Sequence, residues 1–375
     1  MTLRVEVQPH MLQWAMKRAH KSLDDLDRPD APVSKWLAGE ASPTYKQLET
    51  FAHRTYTAVG ALLLPQPPQE ELPVADYRTK SGLGEPSADL LDTLYMMQER
   101  QDWYILHVIE DAGHALPFVG RAKVTDDADE VALDIQNTLH LALEHRSEAR
   151  TWEDALREMI AQVRENGILV MLNGVVGSNT HRVLDPDEFR GFTLIDKRAP
   201  LIFLNNADSK SAQMFTLAHE LAHIWLGEGG LDDVEPTANG SEVETWCNRV
   251  AAAVLVPSYD LGQQLQPTPL ATQLEHLVRR YKVSRAVVLR SLEHHAVDHQ
   301  DRVRLLRAEY VKEKPGSSGG DFHTTTRARL GDDFAASVIA NTLEGRTSYR
   351  EAFELLGVAK PAAFEELARK VGVIS

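Results

Sequence analysis

The sequence predicts an α+β fold, predominantly helical, organised around a small β-sheet. Three observations predict it. Apolar residues recur at helical spacing over most of the 375 residues. Three short apolar runs, Ile168–Leu172, Phe192–Ile195 and Leu201–Leu204, read as buried strands. Directly after the last run comes Phe215-Thr216-Leu217-Ala218-His219-Glu220-Leu221-Ala222-His223, rich in helix formers and with no Gly or Pro before Gly227.

Composition narrows the class. Hydrophobic residues make up 43% and charged residues 25%, ordinary values for a globular chain. The net charge of −15 argues against avid, non-specific nucleic-acid binding by the whole protein, though a small DNA-reading module remains compatible with it. The single cysteine, Cys247, excludes an internal disulfide and suits a reducing compartment, so a cytoplasmic location is expected. The first residues carry no apolar signal-peptide core, and no run of about 18 apolar residues suggests a membrane span.

In chain order, Pro9–His20 places Met11, Leu12, Trp14, Ala15 and Ala19 at helical spacing. Ser22 caps a short helix with Asp25 three residues later. Val33–Leu37 is another short helix, ended near Gly39, and Ser42-Pro43-Thr44 opens a helix through Gln47, Leu48 and Phe51. Residues 1–64 hold 8 Lys/Arg and 7 Asp/Glu, a net of +1 and no pronounced basic excess. The Pro-rich, acidic stretch Leu64–Pro73 marks a linker.

Helical patterns follow at Ser87–Ile109, from Asp126 through Leu143, and at Trp152–Asn166, where Asn166-Gly167 is a stop signal. The three strands and the His-containing helix come next, with a turn at Asp196–Pro200. Glu242–Leu255 is a long helix stopped by Pro257. The chain is helical again from Gln273. Tyr281–Ser284 followed by Val287, Val288 and Leu292 has a helix-turn-helix-like spacing that ordinary packing also explains. Lys314–Gly320 is a flexible break, and helices are expected around Asp332–Leu343, Ser348–Leu355 and Ala362–Val371. The expected domains are 1–64, a connector at 65–125, a catalytic core at 126–300 and a C-terminal helical unit at 301–375.

The chemistry lies in His-Glu-x-x-His. Residues four apart share one helix face, so His219 and His223 can converge on one metal ion, and Glu220 beside them can take a proton from a metal-bound water. A surface helix with two solvated histidines is the alternative. A zinc site needs a third protein ligand, and Glu244 supplies it by spacing, with Asn248 one turn on and able to hydrogen-bond the outer nitrogen of a ligand histidine. Glu242 is the rival ligand, although an acidic residue there also suits the helix dipole. Cys247 falls on the apolar stripe, Asp232, Asp233 and Glu235 read as loop charges, and His294, His295 and His299 form a second histidine cluster at a helix end.

Two family resemblances follow from these motifs. Ser22-Leu23-x-x-Leu26, Val33–Glu40 and Pro43-Thr44-x-x-Gln47-Leu48 resemble the helix-turn-helix of Xre/Cro-type repressors, with a departure between Leu26 and Val33, where Pro29 and Pro32 shorten the second helix. The ordered set Phe215–His223, Glu244-x-x-x-Asn248-x-x-Ala251-Ala252 and Leu255-x-Pro257 resembles the ImmA/IrrE metallopeptidases. Glu188–Phe192 and Pro200–Asn205 match a long branch of that family with an Xre-like N-terminus and a C-terminal helical tail. The resemblance implies a zincin-like metallopeptidase core. It implies Zn²⁺ held by His219, His223 and Glu244, with Glu220 as catalytic base. It also implies a protein substrate, an Xre-type repressor; residues 1–64 are read equally as a DNA-contacting module or a helical docking module, and no membrane association is expected. Two alternatives stand beside the regulatory protease: a DNA-binding regulator with a structural or sensory zinc, and a toxin-like member of a toxin–antitoxin pair. Strand Leu201–Leu204 runs into the metal helix and, if it is an exposed edge, would accept substrate as an added strand. Tyr259 and His323 are of the type that stabilises an oxyanion.

Overall fold

The computed structural model describes residues 4–68, 86–109, 115–229, 242–266, 270–295, 327 and 329–374. The chain forms two compact units, Met1–Pro73 with Ser81–Tyr95, and Val74–Lys80 with Met96–Ser375.

The first unit is helical. Its elements are α1 (Pro9–Arg18), α2 (Leu23–Leu26), α3 (Val33–Leu37), α4 (Tyr45–Arg54), α5 (Val59–Leu62) and the first two turns of α6 (Ala88–His107). Local chemistry sets the boundaries. Pro9 occupies the start of α1, where its missing N–H costs nothing. Ser22 with Asp25 and Thr44 with Gln47 form full capping boxes. The helix expected at 33–37 has only five residues, and Asp27 holds its start by accepting from Ser34 N (3.0 Å) and Ser34 Oγ (2.9 Å). Leu12, Leu26, Trp36, Leu48, Phe51 and Leu62 make the core, with Trp36 edge-on to Phe51 at 6.3 Å.

The second unit begins in the remainder of α6 and continues through α7 (Ala128–Leu139), α8 (Leu143–Glu148) and α9 (Trp152–Glu165). One helix was expected from Asp126 to Leu143. It breaks because His140 adopts a left-handed conformation at φ 56°, and α8 starts after it. The strands are β1 (Leu169–Asn173), β2 (Val175–Val176), β3 (Asn179–Val183), β4 (Gly191–Leu194) and β5 (Leu201–Asn205). β2 and β3 form a small antiparallel ribbon that the sequence reading missed, since two residues carry no periodicity.

The main sheet has the order β1-β5-β4, with β5 parallel to β1 and antiparallel to β4. The condition under which Leu201–Leu204 would accept a substrate strand is not met: β5 is paired on both sides. The two edges are β1 and β4. At β1 the guanidinium of Arg164 donates to Val170 O, from Nε at 3.1 Å, and so occupies that edge. At β4, Asn205 N donates to Arg190 O (2.7 Å). Antiparallel alternation then turns the main-chain groups of Gly191 and Thr193 away from β5.

One sheet face, with Val170, Leu172, Ile202 and Leu204, packs on α9 and α10 (Lys210–Leu226). α10 is buried nearly all round, as a central helix must be when elements cover every face. It starts at Ser209, whose Oγ accepts from Ala212 N, and stops at Gly227 in the left-handed region at φ 72°. Its last carbonyls are satisfied by a loop: Gly120 N donates to Ile224 O (3.0 Å) and Ala122 N to Trp225 O (2.8 Å). A Cβ on Gly227 would lie 2.8 Å from Gly120 Cα, so this approach needs glycine. Next come α11 (Glu242–Leu255), α12 (Ser258–Gln264), α13 (Leu270–Tyr281) and α14 (Arg285–His295).

The C-terminal helices are Asp332–Leu343, Tyr349–Leu356 and Pro361–Lys370, within two residues of their expected positions. They pack on this second unit: Arg100 Nε donates to Leu355 O (2.9 Å), Trp103 Nε1 to Thr347 Oγ1 (3.2 Å) and Ser178 Oγ to Gly357 O (2.9 Å). Among the described residues no helix is long and apolar enough to cross a membrane.

Candidate metal centre

α10 and α11 bring three side chains together. His219 and His223 are both 0% exposed, and Glu244, on the first turn of α11, is 6% exposed. His219 Nε2 lies 3.1 Å from His223 Nε2 and 3.2 Å from Glu244 Oε2, and His223 Nε2 lies 3.5 Å from Glu244 Oε1. Among the described residues this is the group of His, Cys, Asp and Glu that can hold a metal ion. Three donors about 2.0–2.1 Å from a tetrahedral zinc stand about 3.3 Å apart, so the spacing fits that ion.

Tautomer and charge agree with the fit. His223 Nδ1 donates to the Glu228 carbonyl (3.1 Å), which leaves the lone pair of Nε2 directed at the cluster. Burial pushes the Glu244 carboxyl up, but hydrogen bonds and charge from His219 and His223 in their protonated form outweigh it and hold the group far below the usual carboxylate range. An anionic carboxylate between two imidazoles is the donor set that a borderline divalent cation takes.

Glu220 is fully buried beside this cluster. Its Oε2 accepts a hydrogen bond from Thr193 Oγ1 on β4 (2.5 Å). β4 comes close enough because residue 191 is glycine: a Cβ there would meet Thr216 Cγ2 at 2.5 Å, Phe203 O at 2.8 Å and Glu220 Oε1 at 3.4 Å. Sequence reading missed Thr193. Its signal was a polar residue between Phe192 and Leu194 in an otherwise apolar run, since buried polar groups need a partner.

Asn248 does not do what its spacing suggested. Its Oδ1 accepts from Arg290 Nη1 on α14 (3.0 Å), while His223 finds its outer partner in the Glu228 main chain. The Arg290 guanidinium lies over the Phe215 ring at 5.3 Å, and that ring stands 6.5 Å from the His219 imidazole. Asn248 is thus linked to the cluster through Arg290 and Phe215. Glu242 is exposed and Cys247 buried, in keeping with a helix-end charge and a core residue. Asp232, Asp233, Glu235, His299 and His323 lie outside the described residues, as do the side chains of His294 and His295. Tyr259 is 55% exposed on α12, where partial desolvation, Glu144 and Asp260 push its hydroxyl up. Those neighbours are not part of the metal cluster.

Residues 163–293, which contain the whole cluster, match the model of the IrrE N-terminal-like domain. Over these residues the chain is similar to the ImmA/IrrE family. This IrrE-like domain runs from the end of α9 through most of α14. The chain is 32% identical to the radiation response metalloprotease IrrE of Deinococcus radiodurans over 127 residues, 32% of this chain and 37% of that one. It is 32% identical to the radiation response metalloprotease IrrE of Deinococcus deserti over 142 residues, 36% of this chain and 49% of that one. The chain thus spans less than half the length of the curated relatives it matches. Residues 330–370 match a domain of unknown function. No solved structure matches the chain.

Proposed function

We propose that this protein is a zinc-dependent regulatory endopeptidase. The observation that carries the reading is the convergence of His219, His223 and Glu244 within 3.5 Å of one another, with Glu220 buried beside them in an IrrE-like domain. His219, His223 and Glu244 are the metal ligands. Bound zinc supplies Lewis acidity, bringing the pKa of a coordinated water toward about 7. Glu220 is the general base: it takes a proton from the attacking water and delivers it to the amine leaving group of the cleaved peptide. Thr193, by donating to Oε2, fixes the carboxylate with its other oxygen, Oε1, turned elsewhere. Substrate main chain pairs with β4, because β5 is central and Arg164 occupies the β1 edge.

The substrate is a protein, and the resemblance of residues 1–64 to Xre-type modules points to a repressor-type transcription factor. The five-residue α3 and the net charge of +1 in this module favour protein docking over avid DNA binding. The test is incubation of the zinc-loaded full chain with any Xre-type repressor found encoded next to its gene. Wild type should cut it, and Glu220→Gln should bind zinc at the same stoichiometry without cutting. Equal cleavage by Glu220→Gln would remove Glu220 from the mechanism. Salt-sensitive binding to its own promoter, with no cleavage, would favour the DNA-binding regulator instead.

A further inference from the structure

The sheet face opposite α10 holds a second charged site. Alternation along β1 and β5 puts Met171, Asn173 and Phe203 on this face, away from Val170, Ile202 and Leu204. Arg100 of α6 comes to it and is only 6% exposed. Its guanidinium donates to Leu355 O (2.9 Å) and otherwise meets two thioethers, Met97 Sδ and Met171 Sδ, each at 3.8 Å. Sulfur is a weak acceptor and neutralises no charge. Arg329, just before the helix Asp332–Leu343, lines the same small cavity, together with Asn173 and Ser178.

Among the described residues neither Arg100 nor Arg329 has a carboxylate within ion-pair distance of 4.0 Å. Burial pulls Arg100 down to about 10, the exposed Glu99 opposes this, and Arg329 adds to it, so the two guanidinium charges act on each other. Burial likewise lowers Arg329. Of the other polar side chains in the wall, Asn173 Nδ2 spends one hydrogen on Gly177 O (2.7 Å) and Ser178 Oγ donates to Gly357 O (2.9 Å). The charged donors facing a ligand are the guanidinium N–H groups. Two like charges beside a desolvated cavity are unfavourable until an anion joins them.

We propose that this cavity is a binding site for one small inorganic anion, bridging Arg100 and Arg329. The volume of about 10 Å³ has room for about one water-sized sphere. It suits a monatomic anion such as chloride and is too small for phosphate. Leu330, Leu356 and Gly357 complete the wall. The anion therefore fastens the segment matched as a domain of unknown function, 330–370, to the back of the catalytic sheet.

The test uses the full chain and chloride itself. Thermal unfolding is followed at constant ionic strength while sodium gluconate is exchanged for sodium chloride, up to about 0.2 M. The midpoint of wild type should rise with chloride. Arg329 is half-exposed, so Arg329→Gln should fold, and it should weaken the apparent chloride affinity about tenfold or more. A flat wild-type curve, or an equal response in Arg329→Gln, would overturn the proposal. Crystals soaked in bromide provide a second reading: an anomalous peak between the two guanidinium groups supports the site, and no peak there refutes it.

Discussion

Thr193 Oγ1 donates a hydrogen bond to Glu220 Oε2, joining β4 to the centre of α10 across 27 residues of sequence. Both residues are 0% exposed. A buried carboxylate rotates freely unless something holds it, and this hydroxyl holds Oε2. Thr193→Val keeps the shape and removes the donor. Cleavage by this variant should fall about 10–100-fold in kcat, with KM and zinc content unchanged. Thr193→Ser should restore most of the rate. An unaltered kcat in Thr193→Val would show that the hydrogen bond orients nothing.

Glu244 sits within 3.2 Å of His219 and 3.5 Å of His223. Glu244→Ala should lose bound zinc in elemental analysis. A chelator should lower the unfolding midpoint of wild type and leave that of the variant unmoved, because a ligand at about 100 times its dissociation constant stabilises the folded state by about 2.7 kcal/mol. Unchanged metal content in the variant would redirect attention to Glu242, two residues away on the exposed side of α11.

Gly191 permits the contact between β4 and α10. An added Cβ would stand 2.5 Å from Thr216 Cγ2 and 2.8 Å from the Phe203 carbonyl. Gly191→Ala should destabilise the protein by about 1–3 kcal/mol through overpacking, visible in denaturant midpoints. Because the same shift moves Thr193 away from Glu220, cleavage should fall further than stability alone explains.

Asp260 is buried and accepts from Arg280 Nε (2.7 Å) and Tyr281 Oη (2.8 Å). The Arg280 hydrogen bond comes first among the causes holding its carboxyl below 3.8, against a desolvation that raises it. A carboxyl with a lowered folded-state pKa contributes stability that is fully present above its unfolded value. That contribution is lost as pH falls through the folded value. Wild type should therefore lose stability as pH drops below about 4. Asp260→Asn should be less stable at neutral pH by about 1–3 kcal/mol and show a shallower acid limb. Parallel acid limbs for the two proteins would refute this.

The candidate ligands were legible because their geometry is local. A spacing of four residues on a helix puts His219 and His223 on one face whatever surrounds them. Capping boxes at Ser22 and Thr44, the stop at Gly227 and the C-terminal helix spans were readable for the same reason. The break at His140 was not, since apolar spacing continues across it and only the backbone turns. The roles expected of β5 and Asn248 failed on partners that lie far away in sequence. Asn248 meets Arg290 across 42 residues.

By itself, then, the sequence determined the capped helix ends at Ser22, Thr44 and Gly227 and which side chains of a helix share a face, because those follow from interactions within about one helical turn. Tertiary structure alone decided the rest. It made β5 central, gave Glu220 its partner in Thr193, and seated the C-terminal helices through contacts such as Arg100 with Leu355, 255 residues apart. Strand order and buried polar pairs depend on which surfaces close over one another, and no spacing along the chain encodes that choice.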